Sequence, residues 1–174
     1  SSDGTTANTK ILKDIYSGSG SSSLANIALF NNLIFFTAND GTSGKEFWTS
    51  DGTANGTILL KDIKPGPDGS AISNIFVANN KLFFVANDGI NGNEVWVTDG
   101  TNAGTRLLKD INTVDAFDPN IEELTIFDNK VFFVATNETN GREIWVSDGT
   151  ENGTKILKDI NTFDNLSSTP TDLT

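Results

Sequence analysis

The sequence predicts an all-β protein, a propeller-like array of four-stranded antiparallel blades with about 48 residues per repeat, and three observations predict it. First, Trp48, Trp96 and Trp145 stand 48 and 49 residues apart, and Asp-Gly-Thr (from Asp3, Asp51, Asp99 and Asp148) and Lys-Asp-Ile (from Lys13, Lys61, Lys109 and Lys158) keep the same period. Second, each period holds four short apolar runs bounded by Gly, Asn and Asp, and no stretch sustains a 3.6-residue period. Third, the runs are apolar on consecutive residues, as in Leu82, Phe83, Phe84 and Val85, where a half-exposed strand would alternate. Sheets with two apolar faces need cover on both sides, and the abundant cover is the next copy of the repeat. A β-trefoil and an open stack of sheets are the structural rivals.

The elements follow in order. Residues 1–15 read as the turn and last strand of an incomplete blade. Residues 16–63, 64–111 and 112–160 are three repeats, and 161–174 is a linker into a further one. This frame suggests a segment of a longer repeat protein, or copies that complete one another. Within the second repeat the strands are "NIFVANN", "KLFFVAND", "NEVWVTD" and "TRLLKDI". The turn strings "ANNK" and "FDNK" supply Asn or Asp where a tight hairpin needs positive φ. Asp-Gly-Thr-x-x-Gly-Thr joins the third and fourth strands, its Asp capping the turn. Its second glycine is Gly56, Gly104 and Gly153, with Asn8 in the first copy, an exchange that predicts a left-handed backbone there. The one-residue insertion falls between Ile111 and Glu143, in the stretch "NTVDAFDPNIEEL".

Composition limits the function. Hydrophobic residues at 36% with 16 glycines suffice for a packed core. A net charge of −11 disfavours nucleic acid and anionic membrane surfaces, and no apolar run is long enough to span a bilayer. With no Cys and no His, zinc-thiolate sites, thiol catalysis and a Ser-His-Asp triad are excluded. Asn39, Asp40, Ser43 and Glu46, and likewise Asn87, Asp88 and Glu94, could offer oxygen ligands to Ca²⁺. They lack the alternating acidic ladder of an EF-hand loop, and the third copy carries Glu138 and Thr139, so they read as structural turns. A glycosidase pair would break the repeat symmetry, and Arg106, Arg142 and Tyr16 are too few for a sialidase-like site. No catalytic, cofactor or metal residue is therefore assigned. The tryptophans are expected in the core rather than as sugar platforms. Glu46, Glu94 and Glu143 share a strand face with Trp, and if buried each needs a partner, for which the Lys of Lys-Asp-Ile is the candidate.

Glu-x-Trp-x-x-Asp-Gly-Thr, at Glu46–Thr53, Glu94–Thr101 and Glu143–Thr150, with the flanking "LFFVANDG" and "GTRLLKDI", resembles the bacterial ELWxxDGT repeat family over almost the whole chain. The family's Leu position is Phe47, Val95 and Ile144 here. The resemblance implies a propeller-like repeat of large exported or surface proteins, some of which carry calcium-binding repeats elsewhere, and it supplies no catalytic residues. The expectation is a non-catalytic structural or interaction module, secreted or at the cell surface, partnered by further repeats or copies of itself. The alternative is a carbohydrate-binding or calcium-assisted adhesion domain.

Overall fold

The computed structural model describes residues 1–113, 118–162 and 167–173. The chain is all-β, with three four-stranded antiparallel sheets and no helix among the described residues. The first sheet is β1 (Ala25–Phe30), β2 (Leu33–Asn39), β3 (Lys45–Ser50) and β4 (Ile58–Lys61). The second is β5 (Ser73–Ala78), β6 (Lys81–Asn87), β7 (Asn93–Thr98) and β8 (Arg106–Leu107). The third is β9 (Glu122–Phe127), β10 (Lys130–Asn137), β11 (Gly141–Ser147) and β12 (Lys155–Ile156). In every sheet spatial order follows chain order, as a meander built from short turns requires. Residues 1–15 carry the repeat's turn but no strand ladder, since a strand exists only by pairing with a neighbour.

The local causes recur with the period. The turn pairs Asn31–Asn32, Asn79–Asn80 and Asp128–Asn129 all have φ between 48° and 61°, the type I′ geometry that matches strand twist. Each first strand carries an irregularity in its pairing with the second, at the positive-φ residues Asn26, Asn74 and Glu123. The inserted residue's stretch lies partly in 114–117, outside the described residues.

The Asp-Gly-Thr turn is the most uniform element. In the second repeat Asp99 Oδ1 accepts from Thr101 N at 2.9 Å and Thr101 Oγ1 at 2.7 Å. Thr101 Oγ1 then accepts from Gly104 N at 2.9 Å, and Thr105 Oγ1 donates to Thr101 O at 2.6 Å. Asp51 and Asp148 repeat these contacts, and Asp3 repeats those made by its threonine. The bonds to threonine hold the Asp51, Asp99 and Asp148 carboxyls below their ordinary pKa, and they take Asp3, with Asn8 also donating, to about 2.

One expectation about this turn is corrected. The left-handed glycines are the first of each motif, Gly52, Gly100 and Gly149, with φ of 88–98°. The second glycines, Gly56, Gly104 and Gly153, do not have positive φ. A Cβ there would stand 2.0 Å from Oδ1 of the capping aspartate, so the requirement is for space. In the first copy Asn8 meets it differently, donating from Nδ2 to Asp3 Oδ2 at 2.6 Å.

The chain divides into two compact units, Ser1–Ile72 and Ser73–Thr174. In the first, Phe36, Ala38 and Trp48 form a cluster closed by Ile15 and Leu59. In the second, the β5–β8 sheet packs on the β9–β12 sheet. Ala78, Phe83, Val85, Val95, Val97, Leu108 and Ile111 of the second repeat meet Ile121, Val131, Phe133, Ala135 and Trp145 of the third. The consecutive residues Leu82, Phe83, Phe84 and Val85 are all buried, as two-faced cover requires.

Candidate functional site

The side chains that could do chemistry are mostly spent on the fold. Asp40 accepts from Thr42 N, Ser43 N and both hydroxyls at 2.8–3.2 Å, and Asp88 accepts from Ile90 N, Asn91 N and Asn91 Nδ2 at 2.7–2.8 Å. Both are tight acidic turns whose carboxyl oxygens already carry donors. Glu46 and Glu94 point away from them, into the protein. Among the described residues no group of three or more acidic side chains is arranged to hold a metal ion. Trp48, Trp96 and Trp145 are 4–6% exposed, so no indole presents a stacking platform to solvent. Arg106 donates to Gly149 O, and Arg142 pairs with Glu122 at 2.7 Å.

The recurrent glutamate is the site that the repeat protects best. Glu46, Glu94 and Glu143 are all fully buried. Glu46 accepts from Ile63 N (3.1 Å), Lys64 N (3.3 Å) and Ser70 Oγ (2.7 Å). Glu143 accepts from Ser168 N (3.2 Å) and Ser168 Oγ (2.6 Å). Glu94 takes Ile111 N at 3.0 Å on Oε1, while its buried Oε2 has no hydrogen-bond partner among the described residues. These carboxyls tie the end of the fourth strand, or the entry to the following repeat, back to the third strand.

The expected pairing of these glutamates with the Lys of Lys-Asp-Ile is wrong. Lys13 and Lys109 reach the neighbouring repeat instead. Lys13 Nζ donates to Thr57 O at 2.6 Å, and Lys109 Nζ donates to Thr154 O at 3.0 Å. A buried carboxylate surrounded by backbone N–H groups and a hydroxyl needs no ammonium, and a lysine left near water keeps its hydration. The glutamates' partners Ser70 and Ser168 escaped the sequence reading, because they lie 24 and 25 residues downstream in the next repeat. The signal was available: aligned copies place Ser22, Ser70, Pro119 and Ser168 in one column.

The second candidate feature is apolar. In the first unit, Ile11, Ile15, Leu24, Ile27, Ile34 and Phe36 help line a groove of ≈ 360 Å³. In the second, Phe127, Phe132, Ile144, Leu157 and Leu173 help line another of ≈ 210 Å³. The residues of both grooves occupy repeat positions that are buried where the second and third sheets meet. Leu108 is 1% exposed and its counterpart Leu157 is 55%. Ile111 is 4% exposed and Ile160 62%. On the opposite face, Ile121 is 9% exposed and Leu24 61%. Each unit thus presents one half of a sheet-on-sheet joint whose complete form stands inside the second unit. Compared with known proteins, the chain matches no family model and no curated protein.

Proposed function

We propose that the chain is a non-catalytic structural module, a propeller-like array that works by packing against further copies of its own repeat. The observation that carries this reading is the contrast at equal positions. Positions that seal the joint between the second and third sheets recur as exposed Leu, Ile and Phe on the first and third. Burying a Leu or Ile side chain is worth about 1.5–3 kcal/mol, so two such faces favour association. The joint is heterologous, one face type meeting the other, and repetition gives a closed ring or an open stack. The resemblance to ELWxxDGT repeats extends the proposal to an exported or surface protein of a bacterium, in a scaffold or self-assembling matrix.

The test uses one variant per face. Ile27→Asp spoils the face of the first sheet and Phe127→Asp spoils that of the third. Sedimentation of the wild-type chain should show mass rising with concentration, and each variant alone should remain a monomer. An equimolar mixture should stop at two chains, since one good joint survives. A mixture that stays monomeric, or a wild-type chain that is monomeric at every concentration, overturns the reading.

A further inference from the structure

The middle repeat breaks the pattern of the other two at one column. Ser70 and Ser168 each supply two donors to the strand that bears the glutamate. Their N–H groups go to Lys45 O (3.3 Å) and Arg142 O (3.1 Å), and their hydroxyls go to the Glu46 and Glu143 carboxyls. At that column the glutamate of the second repeat faces Pro119, at the entry to the third, which has neither an N–H nor a hydroxyl. The carboxyl left short is Glu94, 0% exposed, with backbone donors at Ile111, on Oε1, and Asn112 but no hydroxyl, and with no partner within hydrogen-bond distance of Oε2 among the described residues. Its charged neighbours are acidic: Asp110, next to the strand exit, and Asp118, next to the proline. Asp110 in turn feels Glu138 and Asp88, and its own Oδ1 is buried without a hydrogen-bond partner among the described residues. The two ion pairs among the described residues, Lys64–Asp68 and Arg142–Glu122, do not include Glu94. Lys109, the neighbouring cation in sequence, is committed to Thr154 O.

We propose that the second repeat is a proton-dependent clasp in an otherwise uniform array: the buried Glu94 carboxyl holds the Ile111–Asn112 exit of the second sheet while it carries a proton, and loosens it when it does not. A neutral carboxyl still accepts the Ile111 N–H on its carbonyl oxygen and sets no charge beside those of Asp110 and Asp118. An ionised one leaves a full charge buried beside two carboxylates, which the chain relieves by opening that exit to water. Burial, with the charges of Asp110 and Asp118 adding, pushes Glu94 up to about 8, against the two backbone donors at Ile111 and Asn112. Burial also raises Glu46, where the Ser70 hydroxyl pulls in the other direction.

Amide hydrogen exchange by NMR tests the clasp, with the Ile63 amide, held by Glu46, as a control inside the same molecule. After correction for intrinsic chemistry, Ile111 should lose roughly ten- to hundredfold of its protection relative to Ile63 between about pH 6 and pH 8. Pro119→Ser, which restores the hydroxyl, and Glu94→Gln, which cannot ionise, should each flatten that difference. The proposal is overturned if Ile111 tracks Ile63, or if a folded Pro119→Ser keeps the wild-type profile. Should Pro119→Ser not fold, Glu94→Gln decides alone, and an unchanged slope in it is equally fatal. Restoration of Ile111 protection by added Ca²⁺ at about pH 9 would assign the site to a cation and also overturn the proposal.

Discussion

Leu108 and Leu157 occupy the same place in the same string, Leu-Lys-Asp-Ile, and the fold separates them by burial alone. Leu108 is 1% exposed within the joint of the second and third sheets, and Leu157 is 55% exposed on the outer face of the third. Truncating Leu108 to Ala removes buried methyl groups and leaves a cavity walled by two sheets that cannot both collapse. The expected loss is about 3–5 kcal/mol. Truncating Leu157 forfeits roughly half of a transfer term and opens no cavity, so the loss should stay below about 1 kcal/mol. Urea unfolding at a chain concentration low enough to keep monomers, followed by far-ultraviolet circular dichroism, gives both values from midpoints at a shared slope. Equal losses for the two substitutions would refute the claim that contact between sheets, and not strand identity, sets the stability of a repeat. At high concentration Leu157→Ala should weaken association while Leu108→Ala affects folding first.

Further outcomes follow from the same geometry. Folded and unfolded Glu94 differ in pKa, about 8 against 4.5, so its protonated form favours the fold. The stabilisation is complete below about pH 4.5 and is lost as pH rises to about 8, by at most roughly 5 kcal/mol, and urea midpoints of Pro119→Ser should show a smaller fall. The Asp-Gly-Thr turns behave oppositely: their lowered carboxyls support the fold above the ordinary aspartate range, and that support fades as pH falls below about 4. Asp99→Ala should cost about 0.5–2 kcal/mol by thermal unfolding, with no change on adding chelator, because the carboxylate caps backbone and hydroxyl donors. Gly104→Ala should cost about 1 kcal/mol more than Gly104→Asn, since the asparagine of the first copy reaches its aspartate by a hydrogen bond.

Features set within one repeat were legible in the sequence. The 48-residue period gave three meander sheets, the Asn-Asn and Asp-Asn pairs gave type I′ turns, and consecutive apolar residues gave strands buried on both faces. Features set by the next repeat were not. The glutamates draw on backbone N–H groups, which have no residue signature, and on Ser70 and Ser168 from the following copy. The glycine before the fourth strand looked like a φ requirement, because Gly and Asn share that habit, yet the carboxylate 2.0 Å from a would-be Cβ gives steric room as the reason. Nor does the string Leu-Lys-Asp-Ile say whether its leucine will be covered, since Leu108 and Leu157 differ only in having a neighbouring sheet.

The most direct measurement is solvent access to the three indoles in the dilute, folded chain. Trp48, Trp96 and Trp145 each stand on the third strand of a four-stranded sheet, and none exceeds 6% exposure. Neutral-quencher titration of single-tryptophan variants should give blue-shifted emission and strong shielding at each position, lost together on unfolding. One freely quenched indole in the folded chain would contradict that burial, because the tryptophan would then stand outside the packed core of its unit.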